Sequence, residues 1–338
     1  MTTTVADHQY QQAISAIESE DASPVEKVEM LIEIAMGLQQ RPKSAQQILD
    51  AIALYDRAIA LCPDTEDLLK ARILARKGTA LQIMPSQGAD YLLKAHAEFE
   101  TALPVLKTSG TQEETAEAYM NLGLVQQNLA SLHQGTITDA IATYQLALRT
   151  FTRDKHPAEF AILHNNLATA YLSIPMTDQR AKMREALAVQ SFEEALKVVT
   201  LIDQPSEYAM LQNNLGNALQ YVSSSHGVEN NLRALEAYDE ALKVRTRADA
   251  PMEYANTLSN KANCLRNLPD DIEQPEAGNR DRLMQARTLY REASDIFAEF
   301  GDSGKVSLLN EVLQELEADI GTGKQGSRGG KGFGESRI

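Results

Sequence analysis

Asparagine recurs along this chain at a regular spacing, and its side-chain amide could bind the main chain of a peptide. Four of these residues follow one another at intervals of 45, 48 and 46: Asn121, Asn166, Asn214 and Asn260. An amide offers both a donor and an acceptor, so a row of amides can pair with the N–H and C=O groups of any extended segment. Further asparagines lie one residue, or about one to two helical turns, from these four: Asn128, Asn165, Asn213, Asn217, Asn263 and Asn267. Together they are the asparagine set.

The same spacing fits two other roles. The amides could bond neighbouring helices or loop carbonyls and so lock structural repeats together, or they could decorate the surface. The sequence leaves ligand contact and structural locking equally open.

Residue arrangements typical of catalysis do not accompany the asparagines. The histidines form no HExxH motif, the only two cysteines, Cys62 and Cys264, lie far apart, and no serine stands in a GxSxG elbow. His164 precedes Asn165, but a lone histidine there is more often a packing or surface residue than a ligand. We therefore expect no enzyme, no metal and no cofactor, and two buried thiols rather than a disulfide.

A second pattern, Ala-x3-aromatic-x2-Ala, shows which elements carry the asparagines. Its aromatic residue recurs after 44, 45, 48, 46 and 52 residues. The six copies are Ala51/Tyr55/Ala58, Ala95/Phe99/Ala102, Ala140/Tyr144/Ala147, Ala188/Phe192/Ala195, Ala234/Tyr238/Ala241 and Ala286/Tyr290/Ala293. Self-similarity at such a period is typical of a repeat array in which each repeat packs on its neighbours.

Each period contains two stretches with the apolar spacing of an amphipathic helix, and no two-residue alternation strong enough to indicate a strand. The asparagine set belongs to the first stretch and the Ala–aromatic–Ala pattern to the second. The first stretch also carries a recurring small residue, at Ala35, Gly78, Gly123, Ala168, Gly216 and Ala262. Glycine inside a helix lowers helix stability by about 1 kcal/mol relative to alanine, so its recurrence needs a packing reason. We expect the second helix to approach the first closely at this position.

The combined pattern resembles the tetratricopeptide repeat (TPR) signature. In one repeat it is carried by Tyr119, Leu122 and Gly123, followed by Ala140/Tyr144/Ala147. The repeat here is about 46 residues long, against 34 in the commonest TPR. With its NNLA and NNLG runs, it is most similar to kinesin-light-chain-like and CHAT-associated bacterial TPR arrays.

The resemblance implies an all-α fold, a right-handed α-α superhelical solenoid of about six TPR-like helical hairpins plus a C-terminal capping helix. We expect an N-terminal helix or extension at 1–23, the repeat array at 24–301, the capping helix at 302–320 and a disordered, Gly-rich basic tail at 321–338. The first helix of each hairpin would line a concave groove, where the asparagine set would contact a peptide or partner protein.

Composition restricts the partner. A formal net charge of −15 does not suit a nucleic-acid surface, and no 18-residue apolar run suggests a membrane span. The N-terminal residues lack the features of a secretory signal, so we expect a cytoplasmic scaffold or adaptor that binds a peptide or protein. The alternative is an assembly protein that self-associates into a homo-oligomer through the solenoid, with the groove occupied by its own tail or by residues 5–19.

Overall fold

The structure, a computed structural model, describes residues 10, 11, 14–17, 19–85, 88–174, 180–222 and 226–322. Within those ranges the chain is helical and contains no strand. It divides into two compact units, Met1–His156 and Pro157–Ile338, called here the first and second unit. The expected tail at 321–338 lies outside the described residues from position 323 onward.

From residue 24 onward, the described part of the first unit forms three helical hairpins. Its helices are α1 (Pro24–Gln40), α2 (Ala45–Leu61), α3 (Asp67–Gln82), α4 (Asp90–Ser109), α5 (Gln112–Ser131) and α6 (Ile137–Ala147). They pair as α1/α2, α3/α4 and α5/α6; in addition, α2 packs on α3 and α4 packs on α5. We call α1, α3 and α5 the first helices of their hairpins, and the term has the same meaning for the hairpins of the second unit.

The second unit repeats this arrangement. Its helices are α7 (Pro157–Ser173), α8 (Ala181–Leu196), α9 (Pro205–Tyr221), α10 (Gly227–Leu242), α11 (Pro251–Arg266), α12 (Arg280–Glu299) and α13 (Ser303–Thr322), with a 3-10 turn at Pro275–Ala277. The pairs are α7/α8, α9/α10 and α11/α12, and α13 packs against α12. The prediction of an all-α fold built from TPR-like hairpins is confirmed.

Short polar motifs fix where several helices begin. Before α1, the Glu26 N–H donates to the Ser23 hydroxyl at 3.3 Å and the Ser23 N–H donates to the Glu26 carboxylate at 2.7 Å. Thr111 and Glu114 form the same reciprocal pair before α5. Each pair satisfies two backbone donors that the first turn of a helix leaves free, so these residues determine the starting points.

Asp270 caps a helix that starts well after it in the sequence. Its carboxylate accepts from the N–H groups of Asp281 and Arg282 at 2.9 and 2.8 Å, in the first turn of α12. The loop between α11 and α12 is thereby folded back onto the start of α12, where a negative charge is favourable.

The core is built on the Ala–aromatic–Ala pattern, every residue of which is fully buried. Burying one of these rings contributes roughly 1.5–3 kcal/mol. The rings lie directly on the small residues of the first helices, because a Cβ built at Gly78, Gly123 or Gly216 would stand only 2.9, 2.6 or 2.7 Å from the facing aromatic ring. The close approach predicted from the recurring small residue is confirmed.

Four of the six rings belong to tyrosine, and each hydroxyl donates to a side-chain amide on the first helix of its own hairpin. The pairs are Tyr55 with Gln39, Tyr144 with Gln127, Tyr238 with Asn217 and Tyr290 with Asn263. Gln39 and Gln127 stand four residues after the recurring small residue of their helices, and Gln82 occupies the same position in α3. There the facing ring is Phe99, and Gln82 Oε1 is buried without a hydrogen-bond partner.

Replacement of Gly216 by leucine should destabilise the second unit by roughly 1–3 kcal/mol, because the added side chain meets the Tyr238 ring in a filled core. Gly227→Leu is the matched control, since a Cβ at Gly227 has no neighbour within 4 Å. Urea unfolding followed by circular dichroism measures both. Equal effects of the two substitutions would contradict the close packing.

Replacement of Phe99 by tyrosine should stabilise the first unit by about 1 kcal/mol, because the new hydroxyl can donate to the orphaned Gln82 Oε1. Tyr55→Phe, which leaves Gln39 Oε1 without its donor, should cost a similar amount. Denaturant midpoints give both values. In a Gln82→Leu background the gain from Phe99→Tyr should disappear, and its persistence would sink this explanation.

Candidate functional site

A cavity of about 390 Å³ lies among the three first helices of the first unit. Its walls come from α1, α3 and α5, and its floor includes the rings of Tyr55 and Phe99. The polar lining residues are Gln39, Gln40, Tyr55, Arg72, Arg76, Thr79, Glu114, Glu117 and Asn121. The volume falls in the range of sites that hold small ligands or a few side chains.

One ion pair joins α3 to α5 at this cavity. Arg72 Nε donates to Glu114 Oε1 at 2.6 Å and Arg72 Nη2 donates to Glu114 Oε2 at 3.3 Å, which is the two-pronged arrangement that guanidinium favours. The hydrogen bond from Arg72 lowers the pKa of Glu114, because it stabilises the charged carboxylate. The pair therefore connects two neighbouring hairpins along the cavity wall.

Three polar groups along the same walls have no hydrogen-bonded partner of opposite charge, although the charge of Arg76 also helps to lower the pKa of Glu114. Arg76 is exposed, and its Nη1 donates to the thioether Sδ of Met36 at 2.7 Å. Within the described ranges, neither Arg76 nor the exposed Glu117 takes part in an ion pair. The half-buried amide of Asn121, one turn beyond Glu117, has no hydrogen-bond partner there either. These groups are available to a ligand.

Burial also determines the protonation state of Tyr55, whose ring forms part of the cavity floor. It raises the pKa of Tyr55 to about 12, although the nearby positive charge of Arg76 acts in the opposite direction. The Tyr55 hydroxyl therefore remains protonated near neutral pH and keeps donating to Gln39 at 2.9 Å.

The asparagine set divides into two groups, and the first makes bonds within the protein. Asn260 Nδ2 donates to Asn213 Oδ1 at 3.2 Å, which links α11 to α9, and Asn217 and Asn263 accept the tyrosine hydroxyls described above. Asn267 Nδ2 donates to the Asn263 carbonyl at 3.2 Å. For Asn213, Asn217, Asn260 and Asn263 these bonds fit the structural-lock alternative, whereas the Asn267 side chain bonds only a main-chain carbonyl of α11.

The second group is less engaged. Asn121 lies in the cavity, and among the described residues the amides of Asn128 and Asn214 have no hydrogen-bond partner. Asn165 Nδ2 donates to Asn166 Oδ1 at 3.4 Å, while Asn165 Oδ1 is buried without a partner. A ligand-contacting role for this group stays a prediction.

Sequence reasoning missed the charged residues of the cavity. Arg72 and Arg76 are four residues apart on α3, and Glu117 is four residues before Asn121 on α5, so each pair shares a helix face. This spacing was the available signal. The convergence of the two faces on one cavity could not be read from it.

His164 occupies a hydrophobic position on α7. Its ring centroid lies 4.2 Å from that of Phe160, and its Nδ1 is buried without a hydrogen-bond partner. Burial lowers the pKa of His164, an effect opposed by the charge of Glu194 and supported by that of Lys197. The structure thus places His164 in packing and keeps its imidazole neutral near pH 7.

Metal-binding clusters and membrane-spanning helices are both absent from the described residues. No group of three or more His, Cys, Asp or Glu side chains there could hold a metal ion. None of the helices that are described is long and apolar enough to cross a bilayer. Cys62 and Cys264 are free and buried, and burial raises the pKa of Cys264 to about 12.

Two solved structures show weak overall similarity to this chain. A Rap protein complexed with competence and sporulation factor is 12% identical over 92% of this chain and 80% of its own, with a TM-score of 0.42. The complex of the TPR2AB domain of yeast Sti1 with pHSP90 is 15% identical over 86% of this chain and 99% of its own, with a TM-score of 0.26. No known family model and no curated protein matches the sequence. Neither structural similarity is close enough to carry an argument about function.

Stability should fall as the pH drops below 6.5, because the unfolded chain then binds a proton at His164 that the folded chain, with its lowered pKa, does not. Neutral His164 therefore costs no stability above pH 6.5. The stability lost through this residue grows as the pH falls from 6.5 to the pKa of folded His164 and is constant below it. Urea midpoints at pH 7.5 and 5.5 test this, with His164→Gln expected to lose less stability over that interval. An identical loss in the variant would show that His164 is not responsible.

Proposed function

We propose that this chain is a non-catalytic scaffold or adaptor that binds a peptide, or an extended segment of a partner protein, against its first helices. The observation that carries this proposal is the cavity of about 390 Å³ lined by Asn121. A space of this size can take one or a few side chains of a bound segment. The amide of Asn121 is positioned on its wall to bond the main chain of that segment.

The distribution of the asparagine set supports this choice of site. Five members make bonds inside the second unit, and four of them join one helix to another. Asn121, by contrast, lies beside a cavity and has no described partner. In the second unit, Asn166 and Asn214 are half-buried on α7 and α9 and stay predicted ligand contacts of that unit alone.

The alternative in which residues 5–19 occupy the ligand site receives no support from the part of that segment that is described. Ile17 is buried in the core of the α1/α2 hairpin, with Tyr10 and Ile14 packed beside it. None of these residues lines the cavity. Self-association into a homo-oligomer stays an alternative that light scattering of the full chain would test.

The cellular compartment is also part of the proposal. Both cysteines are free thiols, which is typical of proteins kept in a reducing environment. We place the protein in the cytoplasm on this basis.

Site-specific photo-crosslinking should reveal the bound segment. A photoreactive residue at Thr79, which lines the cavity, should form an adduct in cells that make the protein, whereas one at Thr101, exposed on α4, should not. Mass spectrometry of the adduct identifies the partner segment.

Asn121→Ala should then weaken binding of that segment by about 3- to 10-fold, as expected for the loss of one neutral hydrogen bond. Asn310→Ala, which changes an exposed asparagine on α13, is the matched control and should leave binding unchanged. Fluorescence anisotropy measures both. Equal crosslinking at the two threonines, or unchanged affinity in Asn121→Ala, would refute the proposal.

A further inference from the structure

Two pairs of opposite charges line the cavity, each with an arginine on α3 and a glutamate on α5. Only the first pair forms an ion pair. Arg72 on α3 bonds Glu114 on α5. Arg76 follows Arg72 by four residues and Glu117 follows Glu114 by three, so each stands about one turn further along its own helix, α3 or α5. Both line the cavity, yet no ion pair joins them.

The guanidinium of Arg76 has most of its bonding capacity unused. The side-chain acceptor that it contacts is the Met36 sulfur, a weak acceptor without charge. The nearby carboxylate of Glu114 attracts Arg76 but is already bonded by both prongs of Arg72. Guanidinium carries five donors in a planar fork that matches a carboxylate. A carboxylate entering the cavity would therefore find a stronger partner for Arg76 than the thioether provides.

Glu117 supplies the complementary charge on the opposite wall. It is exposed, and no cation pairs with it in the described part of the chain. A basic group on the same ligand could reach this carboxylate from the cavity. Because Asn121 follows Glu117 by four residues on α5, the proposed main-chain contact lies on the same helix face.

Resting on the function proposed above, we infer that the cavity selects a peptide segment carrying one acidic and one basic side chain. The acidic side chain bonds Arg76, the basic side chain bonds Glu117, and Asn121 bonds the main chain near the basic residue. A wholly acidic segment would be repelled by Glu117 and by the net charge of −15. A wholly basic segment would be repelled by the positive charge of Arg76. The two charges thus specify both the composition and the direction of the ligand.

The test uses the full chain and labelled, end-blocked nine-residue peptides. Each contains one Glu and one Lys, two to five residues apart and in either order, in a background of Gly, Ala and Leu. Peptides with Glu/Glu, Lys/Lys and Gln/Gln at the same positions are the comparison. We expect one order of Glu and Lys to bind at least 10-fold tighter than every comparison peptide, with an affinity that falls as salt is added.

Charge reversal then tests the assignment of the two walls. Arg76→Glu combined with Glu117→Arg should reverse the preferred order of Glu and Lys, while either single reversal should abolish the preference. Lys94→Glu combined with Glu100→Arg is the control. Both residues are exposed on α4 and lie outside the cavity lining, and the two substitutions together leave the net charge unchanged. Circular dichroism confirms that each variant is folded.

The outcomes separate this inference from the function on which it rests. Peptides that bind equally in both orders, or a double reversal without effect, overturn the inference. If such binding is still weakened by Asn121→Ala, the proposed function survives. Lack of binding in every charge class overturns the charge assignment, and the crosslinking at Thr79 then decides the proposed function by itself.

Discussion

The structure depends on one recurring contact, the packing of a second-helix aromatic ring against a small residue of the first helix. At Gly78, Gly123 and Gly216 the ring lies so close that a methyl group would not fit without movement. The flanking alanines are fully buried too, so both helices approach along their length. This contact fixes the separation and register of each hairpin, and therefore the direction in which the remaining side chains of the first helix point.

Polar groups next to that contact have a structural purpose. A buried tyrosine hydroxyl needs a partner, and in four hairpins a Gln or Asn on the first helix provides it. The amides of Asn217 and Asn263 are thereby committed to the fold. Where the ring is Phe99, Gln82 lacks its donor. The amides close to the core thus bond tyrosine hydroxyls, whereas Asn121 beside the cavity has no hydrogen-bond partner among the described residues.

The cavity of the first unit follows from the same geometry. Three first helices stand side by side over the buried rings, and Arg72 with Glu114 ties two of them together. The neighbouring positions carry Arg76 and Glu117, whose charges are not paired with each other. Binding sites often contain such uncompensated groups, because a ligand can satisfy what the free protein does not. A bound segment with one acidic and one basic side chain would pair with both of these charges.

The sequence by itself determined the repeat, the all-α class and the helix pairs, because the Ala–aromatic–Ala pattern encodes a contact between elements that are close in the chain. For His164 the sequence favoured a packing or surface residue over a ligand, and the structure places its ring in packing. Only the tertiary structure decided which amides are engaged, since Asn213 and Asn260 are 47 residues apart and Arg72 and Glu114 are 42 apart. An asparagine reads the same in the sequence whether its partner is another helix, a tyrosine or a ligand. Its role depends on which groups the fold places within hydrogen-bonding distance of the amide, and local periodicity carries no information about those groups.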